Sequence, residues 1–248
     1  MAITDGDAAL AQRKADELSR LCWDLRLDFL ARVVPMDRAL DIALAEPSGP
    51  VILTDQADNP GGGPPQDGTI ALKAMLDRGV DNACVAVLRD PEAVQTAIKA
   101  GVGKTITMRI GGKTEPWVGD PLEVTGYVKA ITDGKYTPTA MIYGGDMGRT
   151  VVFNVKGIDV ILTEKSEQPL DLQLYRSLGL EPTRYRIILV KSCVHYRAAH
   201  EPIAKRIIEL DLPGWHGTRL AAFPWTKLKR PMFPLDAETL GISELMTK

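Results

Sequence analysis

Short apolar runs that end in turn-forming loops and lead into helical spacing recur at both ends of this sequence. Its middle instead alternates β-branched and polar residues between tight turns. The first run is Pro50-Val-Ile-Leu-Thr-Asp55, bounded by Gly49 and by the glycine-rich stretch DQADNPGGGPPQDGT, Asp55 to Thr69. Its length and flanks predict a buried strand. Ile70 to Arg78 then reads as a helix and Ala83 to Leu88 as a second strand. Asp90-Pro91 opens another helix, with Asp90 as N-cap and Pro91 at the first helical position, closing near Ala100-Gly101. Strand and helix in alternation indicate βαβ units and a sheet that is at least partly parallel.

From Thr105 the rhythm changes. TITMRIGG, LEVTGYVKAIT, RTVVFNVKG and IDVILTE are separated by GGK, DGKY, GGDMG and KGID, which are hairpin and turn signals. The α/β rhythm returns with a helix at Asp171 to Leu178, a strand at Arg186 to Val190 and a helix at Ala198 to Ile208. Upstream, Asp7 to about Val33 has helical spacing with Asp7 as N-cap, and Met36 to Ala45 follows Pro35 as a shorter helix. The tail, with Pro213, Pro224, Pro231 and Pro234, predicts an irregular wrap. The expectation is an α/β fold: a mixed β-sheet flanked by helices, with βα units at both ends and an antiparallel hairpin region in the middle. With no repeat or linker, residues 1–248 read as a single domain.

Composition mainly excludes. A formal net charge of −2, with acids and bases interspersed, gives no pull toward nucleic acid or anionic lipid. The longest apolar runs fall far short of the ~20 residues of a membrane span. Cys22, Cys84 and Cys193 form no CxxC pair, and the N-terminus has no apolar signal core, so a cytoplasmic protein is expected.

Two stretches concentrate groups with chemistry. Gly61, Gly62 and Gly63 follow a strand and precede a helix, so their backbone could closely approach a ligand, and N–H groups there could cradle an anion. The stretch lacks the Lys-Ser/Thr of a P-loop and does not match GxGxxG. Asp55, Asp58, Asn59 and Asp67 add polar atoms, and Asp67 could simply cap the next helix. The second stretch, Val190-Lys-Ser-Cys-Val-His-Tyr-Arg-Ala198, places Lys191, Ser192, His195 and Arg197 just after an apolar strand. Ligand sites of open α/β sheets lie at the carboxyl ends of strands, so the two segments are expected side by side at one cleft. The bland alternatives are a capped tight turn for the first, and surface charges with a satisfied turn histidine for the second. A metal site looks poor: His195 and His200 would project about 140° apart on a helix, there is no HExxH, and a set of Asp55, Asp58 and His195 is conceivable but not demanded. There is no GxSxG either.

Taken in order, TDQADNPGGGPPQDGT, DPEAV at Asp90, AGVG at Ala100, GGK at Gly111, VKSCVHYRAAHEPIA at Val190 and RPMFPLD at Arg230 resemble the C-terminal region of MlrC-like zinc metallopeptidases. The resemblance runs from about Thr4 to Asp236. It departs at Tyr196, where Phe is common, and at Cys193, where a small polar residue is usual. It implies a metallopeptidase or amidohydrolase whose zinc ligands lie in a separate N-terminal metal-binding domain, in cis or as another chain. ITDGD then resembles the junction with that domain. On this reading zinc belongs to the full-length enzyme and none is expected on this chain alone. The substrate is a small peptide or amide, with no nucleic acid and no membrane as partner. Lys191 and His195 are the expected catalytic residues. Asp55, Asp58, Asn59, Gly61, Gly62, Gly63, Ser192 and Arg197 are the expected substrate-binding ones. A self-sufficient anion- or small-molecule-binding domain is the alternative.

Overall fold

The computed structural model describes residues 1–139 and 144–237. Its elements are α1 (Ala8–Asp24), β1 (Val34–Pro35), α2 (Met36–Ala45), β2 (Val51–Thr54), α3 (Ile70–Asp77), β3 (Ala83–Arg89), α4 (Pro91–Ala100), β4 (Thr105–Ile110), β5 (Leu122–Thr132), β6 (Lys135–Tyr136), β7 (Gly145–Asp146), β8 (Thr150–Val155), β9 (Ile158–Thr163), α5 (Gln173–Arg176), β10 (Ile187–Val190), α6 (Arg197–His200) and β11 (Arg206–Asp211). Two compact units divide them, one of Val33–Arg219 and one combining Met1–Arg32 with the described residues from Leu220 on.

The larger unit is built on a nine-stranded sheet of order β1-β11-β2-β10-β3-β9-β8-β5-β4. The strands from β1 to β9 in that order run parallel, and β9, β8, β5 and β4 pair antiparallel in turn. The mixed sheet expected from the sequence is thus present. Every residue of β2 and β10 is buried, because both sheet faces are covered. Val51, Leu53, Val85, Ile187 and Leu189 point into one apolar layer with Leu40 of α2, Leu72 and Met75 of α3 and Val94 of α4. Ile52, Cys84, Ala86, Ile188 and Val190 point the other way, onto Leu174, Tyr175 and Tyr196. β4 and β5 bury alternate residues only, as an antiparallel edge with one solvated face should. Asp90 caps α4 as expected, its Oδ1 accepting from the Ala93 N–H at 3.0 Å.

Three expected helices differ in the structure. Ala198 to Ile208 is not a helix: α6 stops at His200, Pro202 lies just beyond, and Arg206–Asp211 forms β11, parallel to β2. Pro202 cannot donate to a helix interior, and the β-branched pair Ile207-Ile208 finds a better place at the open side of β2. Helix α5 is also shorter than expected, and α1 ends at Asp24 rather than Val33. In the smaller unit, the Asp7 carboxylate caps α1 by accepting from the Leu10 N–H at 2.8 Å, and α1 buries no residue. Among the described residues no helix is long and apolar enough to cross a membrane.

Candidate functional site

Strands β2 and β10 are in register, Thr54 opposite Val190, so both chains leave the sheet at the same level. The Asp55 N–H still donates to Val190 O at 2.9 Å, and Lys191 N–H to Ala86 O at 3.3 Å. Residues two apart share a face of a strand. Asp55 therefore follows Leu53, and Lys191 follows Leu189, to the same side. There the Lys191 ammonium donates to Asp58 Oδ2 at 2.8 Å, Gly68 O at 2.9 Å and Asp55 Oδ2 at 3.1 Å. An ammonium has three donors, and all three are used. The Asp55 to Gly63 loop and the Lys191 to Arg197 segment do adjoin, through a fully buried contact.

Asp58 is the centre of the loop. Its Oδ1 accepts the Gln66 N–H at 2.8 Å and its Oδ2 the Gly68 N–H at 2.7 Å, while its own N–H donates to Asp55 Oδ1 at 3.2 Å. Burial pushes the Asp55 carboxyl up, against the pull of Lys191. Burial by itself would lower the Lys191 ammonium, but Asp58 and Asp55 together hold it well above its ordinary range. Asp67 does not cap α3. Its Oδ2 accepts the N–H groups of Lys113 and Thr114, each at 2.8 Å, and so ties down the GGK turn. Asp90 holds the same turn, with Oδ2 accepting the Gly111 N–H at 2.8 Å and Oδ1 the Lys113 ammonium at 3.0 Å.

The glycine turn does not present an anion cradle. Gly61 N–H donates to Asn59 Oδ1 at 3.1 Å, Gly62 N–H to Asn59 O at 3.0 Å and Gly63 N–H to Pro60 O at 3.0 Å. Each glycine instead has its own steric reason. A Cβ on Gly61 would lie 2.5 Å from Gln168 Nε2, and one on Gly62 would lie 2.6 Å from His216 Cδ2. Gly63 has φ of +104°, where side chains are strained. Two of the three glycines thus lie under side chains, and the third is left-handed.

The remaining residues of the second segment scatter. Ser192 is buried, and its hydroxyl has no hydrogen-bond partner among the described residues. His195 is exposed. Arg197 lies over the Tyr196 ring, 5.6 Å from its centroid, and donates to Glu209 Oε1 at 2.7 Å. Glu209 Oε2 accepts from the Gln56 amide at 2.9 Å, and Gln56 Oε1 accepts from the Cys193 thiol at 3.3 Å. Beneath them His200 is buried, its Nε2 2.7 Å from the Tyr175 hydroxyl and its Nδ1 3.0 Å from Tyr196 O. Sequence reasoning missed Gln56, Gln66, Gln168, Glu209 and His216. Gln66, with φ of +67°, exchanges amide hydrogen bonds with Glu167 at 2.7 and 2.9 Å. Gln56 stands just past β2, and the other four carry no local signal. Glu209 lies in β11, whose first residues fall in the stretch where the spacing predicts a helix.

The edge at which both segments meet is the carboxyl end of the parallel strands, where α/β folds place ligands. The family described as MlrC C-terminus matches residues 53–227, which contain both segments. This chain belongs to that family. It is 32% identical over 199 residues to Microcystinase C of Sphingomonas sp., a match covering 79% of this chain and 38% of the relative. It is also similar to the crystal structure of a protein from Mesorhizobium sp. BNC1 provisionally described as a metallopeptidase. That likeness has a TM-score of 0.77 and 28% identity, over 89% of this chain and 44% of the other. The MlrC C-terminus chain therefore spans less than half the length of these relatives.

Proposed function

We propose that this chain is the substrate-side domain of a zinc-dependent amidohydrolase or metallopeptidase acting on a small peptide or amide. On this reading it is inactive alone, and its zinc is held by an N-terminal metal-binding domain, in cis or as a separate cytoplasmic chain. The observation that carries the reading is the family match across the carboxyl edge where Asp55, Asp58 and Lys191 meet. Among the described residues no three His, Cys, Asp or Glu side chains group to hold an ion. The best acidic pair, Asp55 and Asp58, already has Lys191 as its cation. Zinc does not fit these residues, so the chemistry assigned to them is holding and orienting substrate. The relatives, of which this chain covers 38% and 44%, have the length to carry a metal elsewhere.

Within that reading the residues take different parts. Lys191 is a positioning residue: it fixes Asp55, Asp58 and the turn of Asn59 and Gly61–Gly63, with no donor left over. His195, exposed in the same segment, is assigned to contact substrate, as are Ser192 and Arg197. The alternative is a self-sufficient small-molecule or anion-binding domain without catalysis; against its anion-binding form, the N–H groups of Gly61–Gly63 are bonded within the turn.

The test supplies the N-terminal region of Microcystinase C, fused or in trans, and measures zinc by elemental analysis beside hydrolysis of a linear peptide. This chain alone is expected to keep no stoichiometric zinc after chelator dialysis and to hydrolyse nothing. The pair is expected to hold zinc and turn over. His195→Ala should lower turnover with zinc content unchanged. One tightly held zinc on this chain alone would overturn the reading.

A further inference from the structure

We infer that Trp117 and Trp215 form a subsite at the carboxyl edge that accepts an apolar or aromatic side chain next to an amide bond. This rests on the amide-substrate reading above and names the part of the substrate that the edge selects. The two indoles meet edge to face, with centroids 5.7 Å apart and planes at 75°. They come from turns far apart in sequence, each seated on one end of the Asp55 to Thr69 loop. Trp215 stands between two anchors on Ala57. A Cβ on Gly214 would lie 2.6 Å from Ala57 O, and the His216 N–H donates to that same oxygen at 3.0 Å. Trp117 is held from the other end. Val118 O accepts the Thr69 N–H at 3.0 Å, and a Cβ on Gly119 would lie 2.4 Å from Thr69 Oγ1.

Trp215 is nevertheless 53% exposed. A large aromatic held outward by anchors on both sides leaves apolar surface in water. Near it are the exposed His216 ring, which packs over Gly62, and the Gly61–Gly63 turn, whose N–H groups are bonded within the turn, and neither adds much apolar area. The pair supplies the missing apolar contact. Offset and edge-to-face aromatic contact and aliphatic burial both suit such a wall, whereas an acidic or unsubstituted residue gains nothing from it.

The probes are N-acetyl-phenylalanine amide and N-acetyl-glycine amide, titrated into the full chain while the indole N–H resonances of its four tryptophans are followed. Trp→Phe variants assign the resonances. The phenylalanine probe is expected to give saturable shifts at Trp117 and Trp215, with affinity at least tenfold above that of the glycine probe. Trp215→Ala should remove that preference, and Trp215→Phe should keep part of it. Equal response to both probes, shifts confined to Trp23 and Trp225, or no saturation by the phenylalanine probe would each overturn the subsite. Hydrolysis by the zinc-loaded pair with no change in side-chain preference on Trp215→Ala would overturn the subsite alone. An inert pair with the phenylalanine preference intact would overturn only the hydrolase reading.

Discussion

The Lys191 ammonium lies 2.8 Å from Asp58 Oδ2, and its side chain is wholly buried. Desolvating a charge of this kind is tolerated only when every donor is satisfied and opposite charge is at hand. Both conditions hold, since Asp55 and Gly68 O complete the set. The contact joins two loops 133 residues apart and makes the carboxyl edge of the sheet a single pinned structure.

Removing the ammonium leaves two buried carboxylates without a cation. Lys191→Met is expected to destabilise the chain by about 3–5 kcal/mol, the range for breaking one side of a buried ion pair. Adding Asp55→Asn and Asp58→Asn should recover part of that loss, because the amides carry no charge. Urea unfolding of the variants checks both statements. A Lys191→Met chain as stable as the parent would mean the pin contributes little.

The acid limb of stability should be set largely by His200. Burial lowers its pKa to about 4 from an ordinary value of 6.5. The neutral ring is therefore favoured in the folded state, and its contribution is complete above pH 6.5. Between pH 6.5 and 4 the unfolded chain binds a proton that the folded chain refuses, so stability falls as pH falls, by about 3 kcal/mol over the window. Denaturation across that range, with His200→Gln for comparison, tests it. The variant should lose that slope and retain only what other groups contribute.

Glu209 links the two candidate segments by a second route, and it should govern their motion more than global stability. One oxygen holds Arg197 and the other holds Gln56. The Arg197 side chain is 36% exposed, so solvent weakens this pair. Glu209→Ala is therefore expected to raise amide hydrogen exchange in both residues 55–59 and residues 191–197 while leaving β3 protected. Exchange raised in one segment only would show that the two are not coupled through this side chain.

The parts of the fold readable from sequence are those where one local signal dominates. Asp90-Pro91 caps and starts α4, and the β-branched runs from Thr105 to Glu164 give antiparallel strands, because turn chemistry and side-chain period agree there. Ala198 to Ile208 misled because a short apolar run suits helix and strand alike. Only the vacant side of β2 decides between them, and that is a tertiary fact. At the site, the meeting of Asp55 and Lys191 followed from both segments succeeding apolar strands. The saturation of Lys191 did not, since hydrogen-bond partners 123 and 136 residues away leave no local trace. Nor could spacing reveal that Gln168 and His216 lie over Gly61 and Gly62.

The glycine turn provides the last prediction, because its three residues should respond differently to the same change. Gly63 sits at φ of +104°, so alanine there is strained whatever the surrounding space. A left-handed conformation costs a residue with a side chain roughly 1–2 kcal/mol, and Gly63→Ala should lose about that much. Gly62→Ala meets the exposed ring of His216, which can swing aside, so a smaller loss is expected. That loss should vanish when His216→Ala is made as well, since the obstructing ring is gone. Gly61→Ala meets the Gln168 amide and should be relieved in the same way by Gln168→Ala. Thermal denaturation of the three single and two double variants tests the scheme. A Gly62→Ala loss that persists beside His216→Ala would show that something other than the ring requires glycine there, and would reopen the case for a ligand seated on the turn.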